Sequence, residues 1–260
     1  MKSDSELVAV SNENFVASFR KVVEHSPEGE ARWFGRVFAF VTGLPLSLFN
    51  GCVVVEPADA AQLDAALSWL SGWNLPHKAF VATEYLVSLS DVPLDHGLRR
   101  DPDPYPGMVL HPIPEPPAPS AGVTVVPVAD SLLEEYLQVC TEVGLPLRVA
   151  QELYSPSLVA DPDVQLFVAR LDGQPVGKSL AIRSGGASGV YDVGTLESAR
   201  RRGVGSALTW AAVTAGQAWG FGAIVLQSSQ MGLPIYTAMG FRTVAPYTTF
   251  TKPLPVQIHD

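Results

Sequence analysis

Apolar residues recur along the chain in two alternating rhythms, and most of its predicted elements follow from them. From Asn12 to His25, Phe15, Val16, Phe19, Val22 and Val23 stand at helical spacing, which predicts a helix laid on a sheet. Val37 to Val41 and Cys52 to Val55 are short β-branched runs punctuated by Gly43, Pro45, Asn50 and Gly51, the pattern of buried strands. Asp59 to Trp73 returns to helical spacing, with Leu63, Ala66, Leu67 and Leu70 on one face, and Ala79 to Ala82 reads as a further strand.

Asp101 to Ser120 holds eight prolines in twenty residues, a density that opposes helix and interior strand alike. The expected organisation is therefore a first domain over 1–105, a proline-rich linker over 106–120 and a second domain over 121–260. Beyond the linker, Val123 to Val128 predicts a strand. Ser131-Leu132-Leu133-Glu134 has capping-box spacing for a helix to about Cys140, and a second short helix follows Pro146. Val164 to Leu171 and Pro175 to Arg183 alternate on either side of Asp172-Gly173, which predicts a hairpin. A strand at Val190 to Thr195, a helix at Ser206 to Trp219, a strand at Ala223 to Gln227, a short helix at Leu233 to Met239 stopped by Gly240, and a strand at Tyr247 to Thr251 complete the series. This mixture of strands and helices, with one hairpin among them, places the chain in the α/β (α+β) class.

Composition narrows the function. With 47% hydrophobic and 17% charged residues the chain is globular, and its net charge of −9 opposes nonspecific nucleic-acid binding. Cys52 and Cys140 stand far apart with no C-x-x-C spacing, and the five histidines show no H-x-H or H-E-x-x-H pattern, so no metal site is expected. The first ten residues lack the apolar core of a signal peptide. The apolar stretch Trp33 to Phe49 is broken by Arg36 and a turn, so the expected location is cytoplasmic, with no membrane partner.

Against this acidic background Arg200-Arg201-Arg202-Gly203-Val204-Gly205-Ser206-Ala207 sets three cations and two glycines between a strand and a long helix. Glycines let a chain turn tightly and bring backbone N–H groups to an anion, and a helix N-terminus adds its positive dipole end. A P-loop needs Lys followed by Ser or Thr after its last glycine, where this chain has Ser206-Ala207. A dinucleotide fingerprint needs a small residue where Leu208 stands.

The loop resembles the acetyl-CoA loop of the GNAT superfamily of N-acetyltransferases, Gln/Arg-x-x-Gly-x-Gly/Ala, with Arg200, Gly203 and Gly205 in the patterned positions. Leu233 to Arg242, with Tyr236 and Gly240-Phe241, is similar to the tyrosine-x-x-x-Gly-Phe signature of the same family, and the resemblance spans residues 120 to 252. It implies acetyl-CoA as cosubstrate, with residues 201 to 206 (Arg201, Arg202, Gly203, Val204, Gly205 and Ser206) around its pyrophosphate and Val193, Gly194 and Thr195 along its pantetheine arm. It also implies Ser228 near that arm and Tyr236 as the acid that protonates the departing thiolate. A phenol suits the last role because its usual pKa of about 10 keeps it protonated at neutral pH.

Asp192 and Glu142 could each accept a proton, but both are better explained as ordinary surface or capping carboxylates, so neither is assigned. No base is identifiable beside Cys140, so direct transfer to a primary amine of a small molecule or peptide is expected. A non-catalytic acyl-CoA sensor is the alternative. The first half distantly resembles a GNAT domain too, Gly97-Leu98-Arg99 standing where Gly240-Phe241-Arg242 stands in the second. Yet Glu56-Pro57-Ala58 replaces its loop and Pro93 its tyrosine, which implies a degenerate domain within a tandem pair, assembled as a monomer or homodimer.

Overall fold

The amino-terminal helix, α1, covers Asp4–Glu24 in the computed structural model, which describes residues 2–252. It starts about two turns before the apolar spacing begins because Ser3 and Glu6 form a reciprocal cap. The Ser3 N–H donates to Glu6 Oε2 at 2.6 Å and the Glu6 N–H donates to Ser3 Oγ at 3.3 Å. The chain continues through β1 (Glu30–Phe34), β2 (Val37–Val41), β3 (Gly51–Val54), α2 (Ala60–Ser71), β4 (His77–Ala82), α3 (Asp91–Asp95), β5 (Arg99–Arg100) and β6 (Tyr105–Leu110). Then follow β7 (Val123–Pro127), α4 (Leu133–Glu142), α5 (Leu147–Leu153), α6 (Pro156–Val159), β8 (Val164–Leu171), β9 (Gln174–Ser184) and β10 (Ala187–Thr195). The last elements are α7 (Val204–Ala218), β11 (Ile224–Gln227), α8 (Leu233–Ala238) and β12 (Arg242–Lys252).

These elements form two compact units, each built from two separate pieces of chain. Among the described residues, one holds 2–18 together with Gly107–Val244, and the other holds Phe19–Pro106 together with 245–252. The contiguous division expected from the sequence, at 1–105 and 121–260, differs at both ends: the start of α1 packs with the later unit and the end of β12 with the earlier one. The connector also differs. Tyr105–Leu110 is a strand whose Gly107 to Leu110 pair with β11, so the stretch without helix or strand shrinks to 111–122.

In the later unit the strand order is β6-β11-β10-β9-β8-β7, antiparallel throughout except for β10 and β11, which run parallel with α7 as the crossover. Val204, Leu208, Ala212 and Val213 of α7 are buried among Ala169, Ala181, Val190 and Ile224 of the sheet. The helix lies so close that a Cβ on Gly216 would stand 2.5 Å from the Ile224 side chain. Leu7 and Val10 of α1 pack with Val109, Ala187 and Val225. Asn14, fully buried, locks the helix there: its Nδ2 donates to the carbonyls of Ser184 at 3.0 Å and Ala187 at 3.1 Å, and the Tyr191 hydroxyl donates to its Oδ1 at 2.5 Å. Asn14→Leu should remove these hydrogen bonds, the one to the buried Ala187 carbonyl among them, at a cost of about 2–4 kcal/mol. A urea midpoint that falls with an unchanged slope is the expected reading.

The earlier unit repeats the plan on its own. Its strands run β1-β2-β3-β4-β12, with β5 also on β12, and β3 and β4 form the parallel pair with α2 crossing between them. Leu63, Ala66, Leu67 and Leu70 of α2, the face foreseen from the spacing, are buried on Val37, Ala39, Val54, Ala79 and Val81. The end of β12 pairs antiparallel with β4 from Tyr247↔Ala82 to Lys252↔His77, so the last strand completes the sheet of the earlier unit. β1 was not foreseen: its residues are mostly half-exposed and carry no apolar alternation. No helix among the described residues is long and apolar enough to cross a membrane.

Candidate functional site

The site begins where two strands part. β10 runs to Thr195 but pairs with β11 only at Ser188↔Ile224 and Gly189↔Val225. On its other side the register with β9 jumps between Tyr191↔Leu180 and Gly194↔Lys178, a bulge in which Asp192 and Val193 face a single residue. Asp192 takes a left-handed φ of 53°, which Asp tolerates better than most residues. Within this unit a cleft of about 860 Å³ is lined by Val193, Gly194 and Thr195 of β10, by the loop and first turn of α7, and by Ser229 and Tyr236.

The loop is shaped for an anion. After a tight turn at Glu197–Ala199 the chain is extended at Arg200, left-handed at Arg201 with φ of 60°, and left-handed again at Gly203, the N-cap of α7, with φ of 82°. No side chain caps the helix, and the first intrahelical bond runs from the Ala207 N–H to the Gly203 carbonyl at 3.0 Å. The amides of Val204, Gly205 and Ser206 therefore have no acceptor in the helix and stand at its positive end. A Cβ on Gly203 would lie 2.1 Å from Ser120 Oγ, so only glycine satisfies both the backbone angle and the space. Arg200, Arg201, Gly203, Val204, Gly205 and Ser206 all line the cleft. Arg202 does not, and it pairs with Asp172 at 3.6 Å. The corresponding helix of the earlier unit is closed by its own acid: Asp59 accepts from the Gln62 N–H at 2.9 Å.

Tyr236, on α8, lines the same cleft as the loop. Gly232 makes room for it, since a Cβ there would stand 2.7 Å from the ring, and Phe241 packs edge-on at 5.9 Å. Burial pushes its phenol up to about 12, so it holds its proton across the physiological range. Ser228 is fully buried and donates to the Ser229 carbonyl at 2.7 Å, whereas its neighbour Ser229 is the serine of the pair that lines the cleft.

At the inner end of the cleft lies a polar cluster that the sequence reading missed apart from Asp192. Lys178, with a side chain 3% exposed, forms an ion pair with Asp192, and the hydroxyls of Tyr136 and Tyr154 donate to the same carboxylate oxygen. The two rings meet edge-on at 4.9 Å, and the ammonium sits 5.9 Å from one centroid and 5.7 Å from the other. Burial first, and the Asp192 charge second, push both phenols well above their usual value. The available signal was Lys178 itself, which stands in register with Val176, Leu180 and Ile182, where alternation calls for an apolar residue. Glu142 is exposed, accepts from Gln138 at 2.8 Å and does not line the cleft. Burial pushes the Cys140 thiol up to about 12, which leaves no thiolate for attack at neutral pH. Among the described residues no group of three or more His, Cys, Asp or Glu side chains could hold a metal.

Residues 129–241 match the family model described as Acetyltransferase (GNAT) family. A GCN5-related N-acetyltransferase from Kribbella flavida aligns with a TM-score of 0.68 at 22% identity, over 93% of this chain and 95% of its own. Another from Sphaerobacter thermophilus gives 0.62 at 17% identity, over 86% and 78%. A tandem GNAT protein from the clavulanic acid biosynthesis pathway gives 0.57 at 13% identity, over 88% and 85%. These structures share the fold across both units. No curated protein matches the chain.

Proposed function

We propose, from the premise that residues 129–241 are a domain of the GNAT acetyltransferase family, that this chain is an acetyl-CoA-dependent N-acetyltransferase that passes the acetyl group directly to a primary amine. The observation that carries the reading is the uncapped N-terminus of α7, opened by Gly203 onto a cleft beside diverging strands that Tyr236 also lines.

Acetyl-CoA supplies an activated acyl carbonyl. The amides of Val204 to Ser206, with Arg200 and Arg201, bind its pyrophosphate at the positive end of the helix. The edge of β10 at Val193 to Thr195, released from β11, offers backbone hydrogen bonds to the pantetheine arm and an N–H to the polarised carbonyl. Tyr236 gives its proton to the leaving thiolate. Ser228 acts one step back, holding the Ser229 backbone. The earlier unit does not bind coenzyme in this reading, because the Asp59 carboxylate already occupies the anion position at the start of α2.

A second reading, a non-catalytic acyl-CoA sensor, draws on the Asp192 oxygen, which is already engaged by Lys178, Tyr136 and Tyr154. Two measurements separate the readings. Acetyl-CoA at about 100 times its Kd should stabilise the fold by about 2.7 kcal/mol, seen as a raised melting temperature. Release of free CoA thiol above background with a panel of amines then selects the enzyme. No thermal shift overturns coenzyme binding itself, and a shift without thiol release for any amine favours the sensor.

A further inference from the structure

The inner end of the cleft carries a fixed pair of opposite charges that the transfer step does not require. Lys178 reaches it from β9 with its stem laid along Gly194, where a Cβ would stand 3.5 Å from Cε, and its ammonium is held at the bulge beside Val193 to Thr195. Of its three N–H donors, one goes to the Asp192 carboxylate and one to the Asp192 main-chain carbonyl at 3.4 Å, which leaves a third. Asp192 is 34% exposed on the side chain and lines the same cleft. Apolar side chains open to solvent line the same cleft: Val143 is 38%, Ile235 43% and Met231 72% exposed, and Val143 Cγ1 would stand 3.8 Å from a Cβ on Gly194.

A simple cationic amine directed at Asp192 would meet the Lys178 ammonium bonded to the same carboxylate, and like charges in a partly desolvated cleft repel. An acceptor with a carboxylate beside its amine brings the missing opposite charge. We propose that Lys178 and Asp192 form an acceptor subsite for α-amino acids with apolar side chains, a selection that rests on the acetyl-transfer reading above. Lys178 takes the carboxylate, Asp192 takes the α-amino group, and Val143, Ile235 and Met231 receive the side chain. In the reaction the α-ammonium first loses a proton to solvent. The neutral nitrogen then forms the N–C bond to the acetyl carbon as the C–S bond breaks, a second nitrogen proton leaves to solvent, the thiolate takes the proton of Tyr236, and Tyr236 regains a proton from solvent. The products are an N-acetylamino acid, CoA thiol and, in net, one proton.

The test compares L-leucine with isoamylamine and L-leucinamide, which keep its side chain and lack the carboxylate, as acceptors for the full chain with acetyl-CoA, by thiol release and product mass. Binding of L-leucine to the CoA-loaded protein by calorimetry is a readout independent of turnover. One charge-assisted hydrogen bond supports an expected preference of about 10-fold to 100-fold in kcat/KM for leucine over either analogue. In Lys178→Met that ratio should collapse toward one; if the variant does not fold, the wild-type ratio and the calorimetry decide. Equal or better use of isoamylamine or leucinamide overturns the subsite and leaves acetyl transfer standing. A ratio that persists in Lys178→Met overturns the role of Lys178. Failure of leucine both to bind and to react, with the acetyl-CoA thermal shift intact, also overturns the proposal, and loss of that shift in the wild type overturns the underlying reading as well.

Discussion

Tyr236→Phe should lower the maximal rate of acetyl transfer by about 100-fold or more, the scale of a lost general acid, while acetyl-CoA stabilises the variant as it does the wild type. The substitution removes one oxygen and keeps the ring that packs against Phe241, so the fold and the wall of the cleft persist. The effect belongs to the departing thiolate: turnover falls and coenzyme affinity does not. The pH dependence gives a second check. Burial raises the phenol from its usual value of 10.0 to about 12 in the folded chain. The folded state therefore favours the protonated phenol, and the stability this contributes is full below about 10 and is lost as pH rises through about 12. Between pH 7 and 9 the acid stays protonated, and an alkaline fall in rate within that window belongs to another group. Unchanged turnover in Tyr236→Phe removes the assignment, and so does a loss of coenzyme affinity equal to the loss of rate.

Gly203→Val should abolish most coenzyme binding and leave the protein folded. Gly203 holds φ of 82°, and a Cβ there would meet Ser120 Oγ at 2.1 Å. A side chain in left-handed backbone costs about 1–2 kcal/mol, enough to lower the melting temperature by several degrees. The larger consequence is geometric. To relieve the clash the loop must turn, and the amides of Val204, Gly205 and Ser206 turn with it. Losing two charge-assisted hydrogen bonds to a pyrophosphate weakens binding by about 100-fold or more, read as loss of the acetyl-CoA thermal shift or directly by calorimetry. Wild-type affinity in this variant would show that the coenzyme is anchored elsewhere.

Much of this was legible before any coordinates. The periodicity of residues 59–73 identified the buried face of α2, and Asp172-Gly173 marked the turn between β8 and β9. The start of α1 is legible in the capping spacing of Ser3 and Glu6 and not in the apolar run, which begins further along the helix. β1 was not legible, since half-exposed strand residues leave no alternation to read. Nor was the exchange of segments between the units. The amphipathic face of α1 announces that it will be buried, and it does not say against which sheet.

By itself the sequence determined that a loop with Gly203 and Gly205 precedes a long helix and that Tyr236 stands a few residues before Gly240-Phe241. These features depend on neighbours along the chain, where backbone freedom and helical spacing act directly. Only the tertiary structure decided that β10 leaves β11 after Gly189, which opens the cleft, and that Lys178, Tyr136 and Tyr154 converge on Asp192. Tyr154 and Tyr136 lie 38 and 56 residues from Asp192, so no local pattern links them. They meet because α4 packs on β8 and β9, because α5 packs on α4, and because one extra residue in β10 carries Asp192 to them, an outcome of packing and register rather than of sequence spacing.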